Sequence, residues 1–253
     1  MSRRFGICTA LVFCCLVLSA CATTPTAPVT FQGYTAAVAP RIAVDLNPDW
    51  KFIRQDVPGA EQVNFDDSGW QDISLPHTWN NLDGEDGPDP VTWKANYYRG
   101  VGWYRKHINL AGLGLEGKSL FLRFDAASIV AQVYVNGTSA GEAHKGAFGA
   151  FCYDVTRLLN TSGDNVIAVR VDNSLNKDVA PLAGDFTMFG GIYRSVHLLA
   201  LNPVAIDPMD DASSGVYIQE TTVTPQSASL QIVTKLRNDT AGAADATVQC
   251  DIL

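Results

Sequence analysis

The stretch LFLRFDAASIVAQVYVNG, residues 120–137, carries the pattern that decides the fold class. Leu120, Leu122 and Phe124 fall on one face of an extended chain, because successive side chains of a strand point to opposite sides. Arg123 lies on the other face. This period of two is typical of a half-buried β-strand.

The same alternation recurs along the chain, and helical periodicity is nearly absent. Asn136-Gly137 follows Val135 and is a strong hairpin signal. Residues 167–172 alternate again, and residues 192–199 form a further predicted strand. Many short strands separated by turn signals predict an all-β protein built as a β-sandwich.

A second block of alternating segments follows Pro203. Residues 215–223, 229–236 and 247–253 resemble the first three strands of another sandwich. An Ig-like domain needs ~100 residues and about seven strands, so residues 204–253 predict an incomplete, truncated one. We therefore expect the chain to be a piece of a longer protein; a frayed but tolerated terminal sheet is the alternative.

The N-terminal residues have the features of a targeting segment. Arg3 and Arg4 precede an apolar run, residues 7–18, which is too short to span a bilayer as a stable helix. The segment then closes with Leu-Ser-Ala-Cys, residues 18–21, which resembles the lipobox of bacterial lipoproteins. This predicts a signal peptide at 1–20, lipidation of Cys21 and a flexible linker at 21–45, in a periplasmic or cell-surface lipoprotein. Ordinary secretion is the alternative.

The composition excludes some classes of partner. Hydrophobic residues make up 47% of the 253 residues and charged residues 17%, which favours a packed core over disorder. The formal net charge of −8 gives no affinity for nucleic acid phosphates. We expect contact with a membrane only through the lipid anchor.

Two segments imitate ligand-binding motifs. Residues 112–119 match the P-loop pattern, but a strand-like run follows where a P-loop requires a helix. We predict an ordinary loop between strands. Residues 83–89 loosely resemble a calcium loop with the wrong spacing, so a solvated acidic loop is preferred while calcium stays open.

Seven stretches together resemble the N-terminal region of glycoside hydrolase family 2, the β-galactosidase and β-glucuronidase family. In chain order they are NPDWKFIRQD, FDDSGWQDISLPHTWN, YYRGVGWYRK, LFLRFDAASIVAQVYVNG, GAFGAFCYDVTRLL, NVIAVRVDN and GDFTMFGGIYRSVHL. The resemblance implies a jelly-roll-like, galactose-binding-domain-like sandwich at 46–203, then an Ig-like domain, then a TIM barrel. It also implies that both catalytic glutamates lie in that barrel, so this chain contains no catalytic residue and is inactive alone.

The resemblance also implies a substrate-binding role for part of this domain. The motif Gly184-Asp185-Phe186 matches a family loop whose aspartate contacts a sugar hydroxyl, directly or through a bound monovalent cation. Asp185 is thus the predicted metal-binding residue, and Phe186, Met188 and Phe189 are candidate walls of the pocket; ordinary core packing is the alternative for these three. Asn96 and Asp83, with Asp86, lie in a loop that approaches the pocket in some relatives. Trp79 and Trp93 could stack on sugar, with core packing as the more common role of such tryptophans.

The leading functional hypothesis is the non-catalytic part of a retaining β-galactosidase-like enzyme that hydrolyses terminal β-glycosides. Its expected partners are a β-galactoside substrate and the downstream barrel of the same protein. The fragment itself needs no cofactor, whereas the full enzyme could hold Na⁺ or Mg²⁺. The alternatives are the corresponding part of a β-glucuronidase and a stand-alone carbohydrate-binding lipoprotein.

Overall fold

The computed structural model describes residues 14–17, 41–84, 89, 94, 96–180 and 187–251. The chain divides into two compact units. One is Ala43–Leu201, and the other combines Met1–Ile42 with Asn202–Leu253. Within the described ranges, no helix has the length and apolar character needed to cross a bilayer.

All regular elements in the described ranges are strands, as the alternation predicts. They are β1 (Cys14–Val17), β2 (Ile42–Asp45), β3 (Trp50–Ile53), β4 (Gln71–Ile73), β5 (Val101–Asn109), β6 (Ser119–Phe124), β7 (Val130–Val135), β8 (Thr138–Ser139), β9 (His144–Lys145), β10 (Phe151–Asp154), β11 (Asp164–Asp172), β12 (Val196–Leu201), β13 (Val204–Ile206), β14 (Val216–Val223), β15 (Ser227–Thr234) and β16 (Leu236–Asn238).

The larger unit contains two sheets within the described residues. One has the order β10-β6-β12-β2, and the other has the order β4-β3-β5-β11-β7-β8 with β9 also paired to β7. Pairing is antiparallel, for example between β11 and its neighbours β5 and β7. The aromatic ring of Phe151 on β10 stacks on that of His144 on β9, with 4.1 Å between centroids. The two sheets therefore meet across a shared core, which confirms the predicted sandwich.

Strand β6 is buried more completely than its alternation predicts. Leu120, Leu122 and Phe124 are fully buried, as expected for the inward face. Phe121, which the period of two places on the opposite face, is fully buried as well. Because β6 lies between β10 and β12, it is an interior strand, and such strands are often covered on both sides.

The outward face of the larger sheet is covered by the segment between β3 and β4. Ala168 and Trp103 point to this side, and Val57, Phe65 and Trp70 pack against them. The period of two puts Ala168 on the same face of β11 as Arg170 and Asp172. It is 1% exposed because this segment folds over it.

A buried arginine holds the covering segment in place. Arg105 is fully buried, and its Nε donates to Asp67 Oδ2 at 2.7 Å. Its other nitrogens donate to the backbone carbonyls of Ala60, Gln62, Val63 and Phe65. A guanidinium presents five N–H donors in a fixed plane, so one side chain satisfies several carbonyls of a loop that is out of reach of water.

Asp67 completes this ion pair. Burial alone would raise the pKa of the Asp67 carboxyl, but hydrogen bonds from His107 and Arg105 outweigh it and lower the pKa. The carboxylate therefore stays charged opposite the guanidinium, as a buried ion pair requires.

Two local predictions are confirmed. Asn136 and Gly137 have φ angles of 51° and 79°, which close the hairpin between β7 and β8 in the primed geometry. Of the P-loop-like residues, 112–118 form a loop between β5 and β6, and Ser119 begins strand β6 where a P-loop would begin a helix.

The smaller unit contains the first two strands predicted after Pro203, β14 and β15, which pair as a hairpin. The third predicted strand is not formed, since residues 247–251 have no strand structure. Strands β13 and β16 form a second antiparallel pair, which the sequence did not predict. In sequence, β13 precedes the β14–β15 hairpin and β16 follows it. Strand β1, within the predicted signal peptide, pairs with β15.

Candidate functional site

Four loop segments of the sandwich unit converge, and they flank most of the residues predicted to bind substrate. They are residues 77–84, residues 96–100 before β5, residues 173–179 after β11, and residues 187–191 before β12. Hydrogen bonds from two buried asparagines connect them. We call these four segments the loop hub.

Asn80 is fully buried and bonds to three segments of the loop hub. Its Oδ1 accepts the backbone N–H of Gly190 at 2.8 Å. Its Nδ2 donates to Asp83 Oδ1 at 2.9 Å and to the backbone carbonyl of Tyr98 at 3.0 Å.

Asn173 is the second fully buried amide. Its Nδ2 donates to Asn80 Oδ1 at 3.2 Å and to the carbonyl of Met188 at 2.9 Å. Its Oδ1 accepts the N–H of Gly100 at 2.8 Å. The amide pair thus satisfies backbone groups on both sides of the loop hub.

Gly190 lies directly against the indole of Trp79. A Cβ atom added at Gly190 would overlap the indole ring, so only glycine fits there. Trp79 is 4% exposed and stacks on Phe52 with ring centroids 6.0 Å apart. Trp79 is therefore a core residue, and stacking on sugar is excluded for it in this arrangement.

His77 and Tyr104 form a hydrogen-bonded pair under the same segment. Tyr104 OH lies 2.8 Å from His77 Nδ1 and accepts the N–H of Ile192 at 3.4 Å. Burial lowers the pKa of His77 and raises that of Tyr104, so both side chains stay neutral.

Asp83 lies within the loop hub, where other residues hold its carboxylate. Besides Asn80, the backbone N–H of Tyr98 donates to it at 3.1 Å and Arg54 Nη1 at 3.4 Å. The next residue, Gly84, accepts a hydrogen bond from Thr187 Oγ1 at 2.5 Å. The Asp83 loop and the segment that follows Asp185 in sequence are therefore in direct contact.

The structure describes only some of the other residues predicted to bind sugar, a cation or lipid. Asp185, Phe186, Asp86, Trp93 and Cys21 lie outside the described residues, and their assigned roles stay predictions. Asn96 is exposed, and Phe189 is 45% exposed. Met188 is buried in a core cluster with Ile129, Ala147 and Val179, so the core alternative holds for it.

No metal site is formed by side chains that the structure describes. In that part of the chain, no three histidine, cysteine or acidic residues are grouped so that they could hold an ion. The predicted cation ligand, Asp185, is not among the residues searched.

Sequence reasoning missed Asn80, Asn173 and Tyr97, whose hydroxyl accepts the N–H of Met188 at 2.7 Å. A weak signal was present, because Asn80 and Asn173 each end one of the stretches that resemble the family. An asparagine at the end of a strand or loop usually reads as a turn residue, so the pattern alone does not mark it as buried.

The family follows from comparison with known proteins. The profile of "Glycosyl hydrolases family 2, sugar binding domain" matches residues 44–202. The chain belongs to glycoside hydrolase family 2. The matched range coincides closely with the sandwich unit, Ala43–Leu201, and contains the whole loop hub.

Among its family 2 relatives, a β-glucuronidase from Bacteroides fragilis is 38% identical over 215 residues, which are 85% of this chain and 28% of that protein. A β-galactosidase from Thermoanaerobacter pseudethanolicus is 33% identical, over 84% of this chain and 29% of its own length. Bacteroides uniformis β-glucuronidase 2, solved with a covalently bound cyclophellitol-6-carboxylate aziridine, superposes with a TM-score of 0.72 at 38% identity. That match covers 79% of this chain and 23% of the solved one.

The contact between Gly190 and Trp79 gives a first test. Gly190→Ala should destabilise the protein by about 1–3 kcal/mol, because the added methyl group must displace a packed ring. Urea unfolding measures the loss, and tryptophan fluorescence reports the displaced indole. Gly149→Ala is the control, since a Cβ there meets no atom within 4 Å. Equal stability of the two variants would contradict the packing.

The neutral state of His77 gives a second test. The pKa of His77 in the folded state lies below its ordinary value of 6.5, so protons bind preferentially to the unfolded chain as pH falls through 6.5. Stability should therefore drop from pH 7.5 to 5, and less so in His77→Gln. Denaturant unfolding at each pH measures this. Parallel stability curves for wild type and variant would contradict it.

Proposed function

We propose that this chain supplies the sugar-binding domain of a retaining β-glycosidase that hydrolyses terminal β-glycosides in carbohydrate metabolism. Two findings support it: family 2 membership over residues 44–202, and relatives that are enzymes several times longer than the matched region. Retaining enzymes use two carboxylates about 5–5.5 Å apart, one as nucleophile and one as acid and base. We place both in a barrel domain outside these 253 residues.

The observation that carries the domain's own role is the anchoring of Met188 and Gly190. Their backbone groups bond to Asn173, Tyr97 and Asn80. This fixes Met188 and Gly190, which follow the predicted substrate-binding motif Gly184–Phe186 in sequence, to the sandwich. A carboxylate on a fixed support is a strong acceptor for sugar hydroxyl groups, and its position then selects which hydroxyl it meets.

The remaining predicted groups belong to the same proposal. Asn96 and Phe189 are exposed on the loop hub and are available to a sugar. A sugar-binding role for Phe186 rests on the resemblance to the family motif. A monovalent cation held by Asp185 rests on the resemblance of Gly184–Phe186 to the family motif.

β-Glucuronides are the substrates we favour, and β-galactosides are the second candidate. Relatives named β-glucuronidase match at 38% identity, both among curated proteins and among solved structures. A β-galactosidase matches at 33%. The two sugars differ at C6, where a glucuronide has a carboxylate and a galactoside a hydroxymethyl group, so a single assay separates them.

The full-length protein should therefore cleave 4-nitrophenyl β-glucuronide faster than the β-galactoside. The reverse preference would favour the galactosidase hypothesis. Binding of either sugar with no hydrolysis of any nitrophenyl β-glycoside would reject the enzyme in favour of a stand-alone binding lipoprotein.

In that enzyme, Asp185→Ala should raise KM and lower kcat/KM by about one to three orders of magnitude, or ~1.5–4 kcal/mol, through loss of a charge-assisted contact. Asp72→Ala is the control, since the Asp72 side chain is 82% exposed and pairs only with Lys51 among its described contacts. Assays in Na⁺ and in choline buffers separate direct contact from contact through a cation. Unchanged kinetics in a folded variant would remove Asp185 from the site.

We also propose export and lipid anchoring through Cys21. Fatty-acid labelling of cells expressing the protein should mark the wild type and Cys152→Ser, but not Cys21→Ser, because the lipobox cysteine carries the lipid. Label retained in Cys21→Ser would disprove the anchor.

A further inference from the structure

The side-chain amides of Asn80 and Asn173, the buried amide pair, are hydrogen-bonded at both their oxygen and their nitrogen. Filling space in the core would not require this. Each side chain presents a donor and an acceptor together, and each uses both. Asn80 Oδ1 accepts from Gly190 and Asn173, while its Nδ2 donates to Asp83 and Tyr98. An amide has two acceptor and two donor sites, so Asn80 is saturated. Apolar or acidic side chains of the same size would leave buried backbone groups unpaired.

Two bonds of the pair end on the short segment Thr187–Gly190. Gly190 donates its N–H to Asn80, and Met188 offers its carbonyl to Asn173. The other bonds of the pair reach Tyr98, Gly100 and Asp83, which belong to two different loops. Through these bonds Thr187–Gly190 is tied to Asn80, which lies 110 residues before Gly190 in the sequence.

We propose that Asn80 and Asn173 are positioning residues, which hold Thr187–Gly190 in one place and thereby set where Asp185 meets the substrate. The role of Asp185 rests on the proposed function, whereas the anchoring of the segment does not. Trp79 supports the same arrangement, because its indole leaves room at Gly190 only for a glycine.

Strand β11 provides a matched control. Asn165, at the start of the strand, is 2% exposed and bonds through both ends of its amide to residues 136, 160 and 163. Asn173 follows the other end of the strand, about 27 Å away by the rise of an extended chain. Replacing either asparagine disturbs a buried amide, but only Asn173 contacts the segment after Asp185.

Hydrogen exchange of the full-length protein tests the anchoring. Asn173→Asp puts a carboxylate oxygen where the donor to Met188 was. The N–H groups of Met188 and Gly190 should then exchange about tenfold faster or more, corresponding to one lost buried hydrogen bond. Asn165→Asp should leave these amides within about threefold of wild type at matched global stability. Asn173→Ala and Asn165→Ala repeat the comparison without a buried charge.

Kinetics test the link to Asp185. Asn173→Asp should lower kcat/KM by about 10–100-fold, and this loss should disappear in an Asp185→Ala background, because coupled residues are not additive. Asn173→Asp should also lower the thermal unfolding temperature, and it should do so whether residue 185 is Asp or Ala.

Unchanged exchange in both Asn173 variants, or equal exchange in the Asn165 variants, would overturn the anchoring. Faster exchange with the same kinetic loss in both backgrounds would overturn the link to Asp185. If the protein hydrolyses no glycoside, the proposed function fails, and exchange alone decides the anchoring.

Discussion

The loop hub depends on one constraint: two amide side chains lie out of reach of water and must find partners within the protein. A buried polar group left unpaired costs about 1–3 kcal/mol, so the amides of Asn80 and Asn173 favour the one arrangement that pairs them all. That arrangement brings Tyr98, Gly100 and Gly190 together. Strand pairing by itself specifies none of these contacts.

The same reasoning explains the outer face of the larger sheet. Arg105 is buried under the segment that connects β3 and β4, and it bonds to four carbonyls of that segment and to Asp67. In both places, a buried polar side chain replaces water for the backbone of an irregular segment. Buried polar side chains therefore hold irregular segments in place both in the loop hub and on the outer face of the larger sheet.

The strand framework and family could be predicted, and most of the candidate site could not. The hairpin at Asn136-Gly137 and the loop at residues 112–118 follow from local chemistry, and the structure confirms both. Met188 and Trp79 were open between pocket wall and core, since the sequence shows hydrophobicity but not what covers it. Burial places both in the core. The roles of Asp185 and Phe186 stay predictions.

By itself, the sequence determined the period of two, the positions of the turns and the family resemblance, because each depends on residues close together in the chain or on a motif. The tertiary structure decided which faces are covered and which polar groups meet. Ala168 points away from the sandwich core and is still buried, because the β3–β4 segment lies on it. Asn80 and Asn173 bond to each other across 93 positions of sequence. Two residues so far apart in sequence leave no local pattern that predicts their contact, because the contact exists only after the sheets have formed.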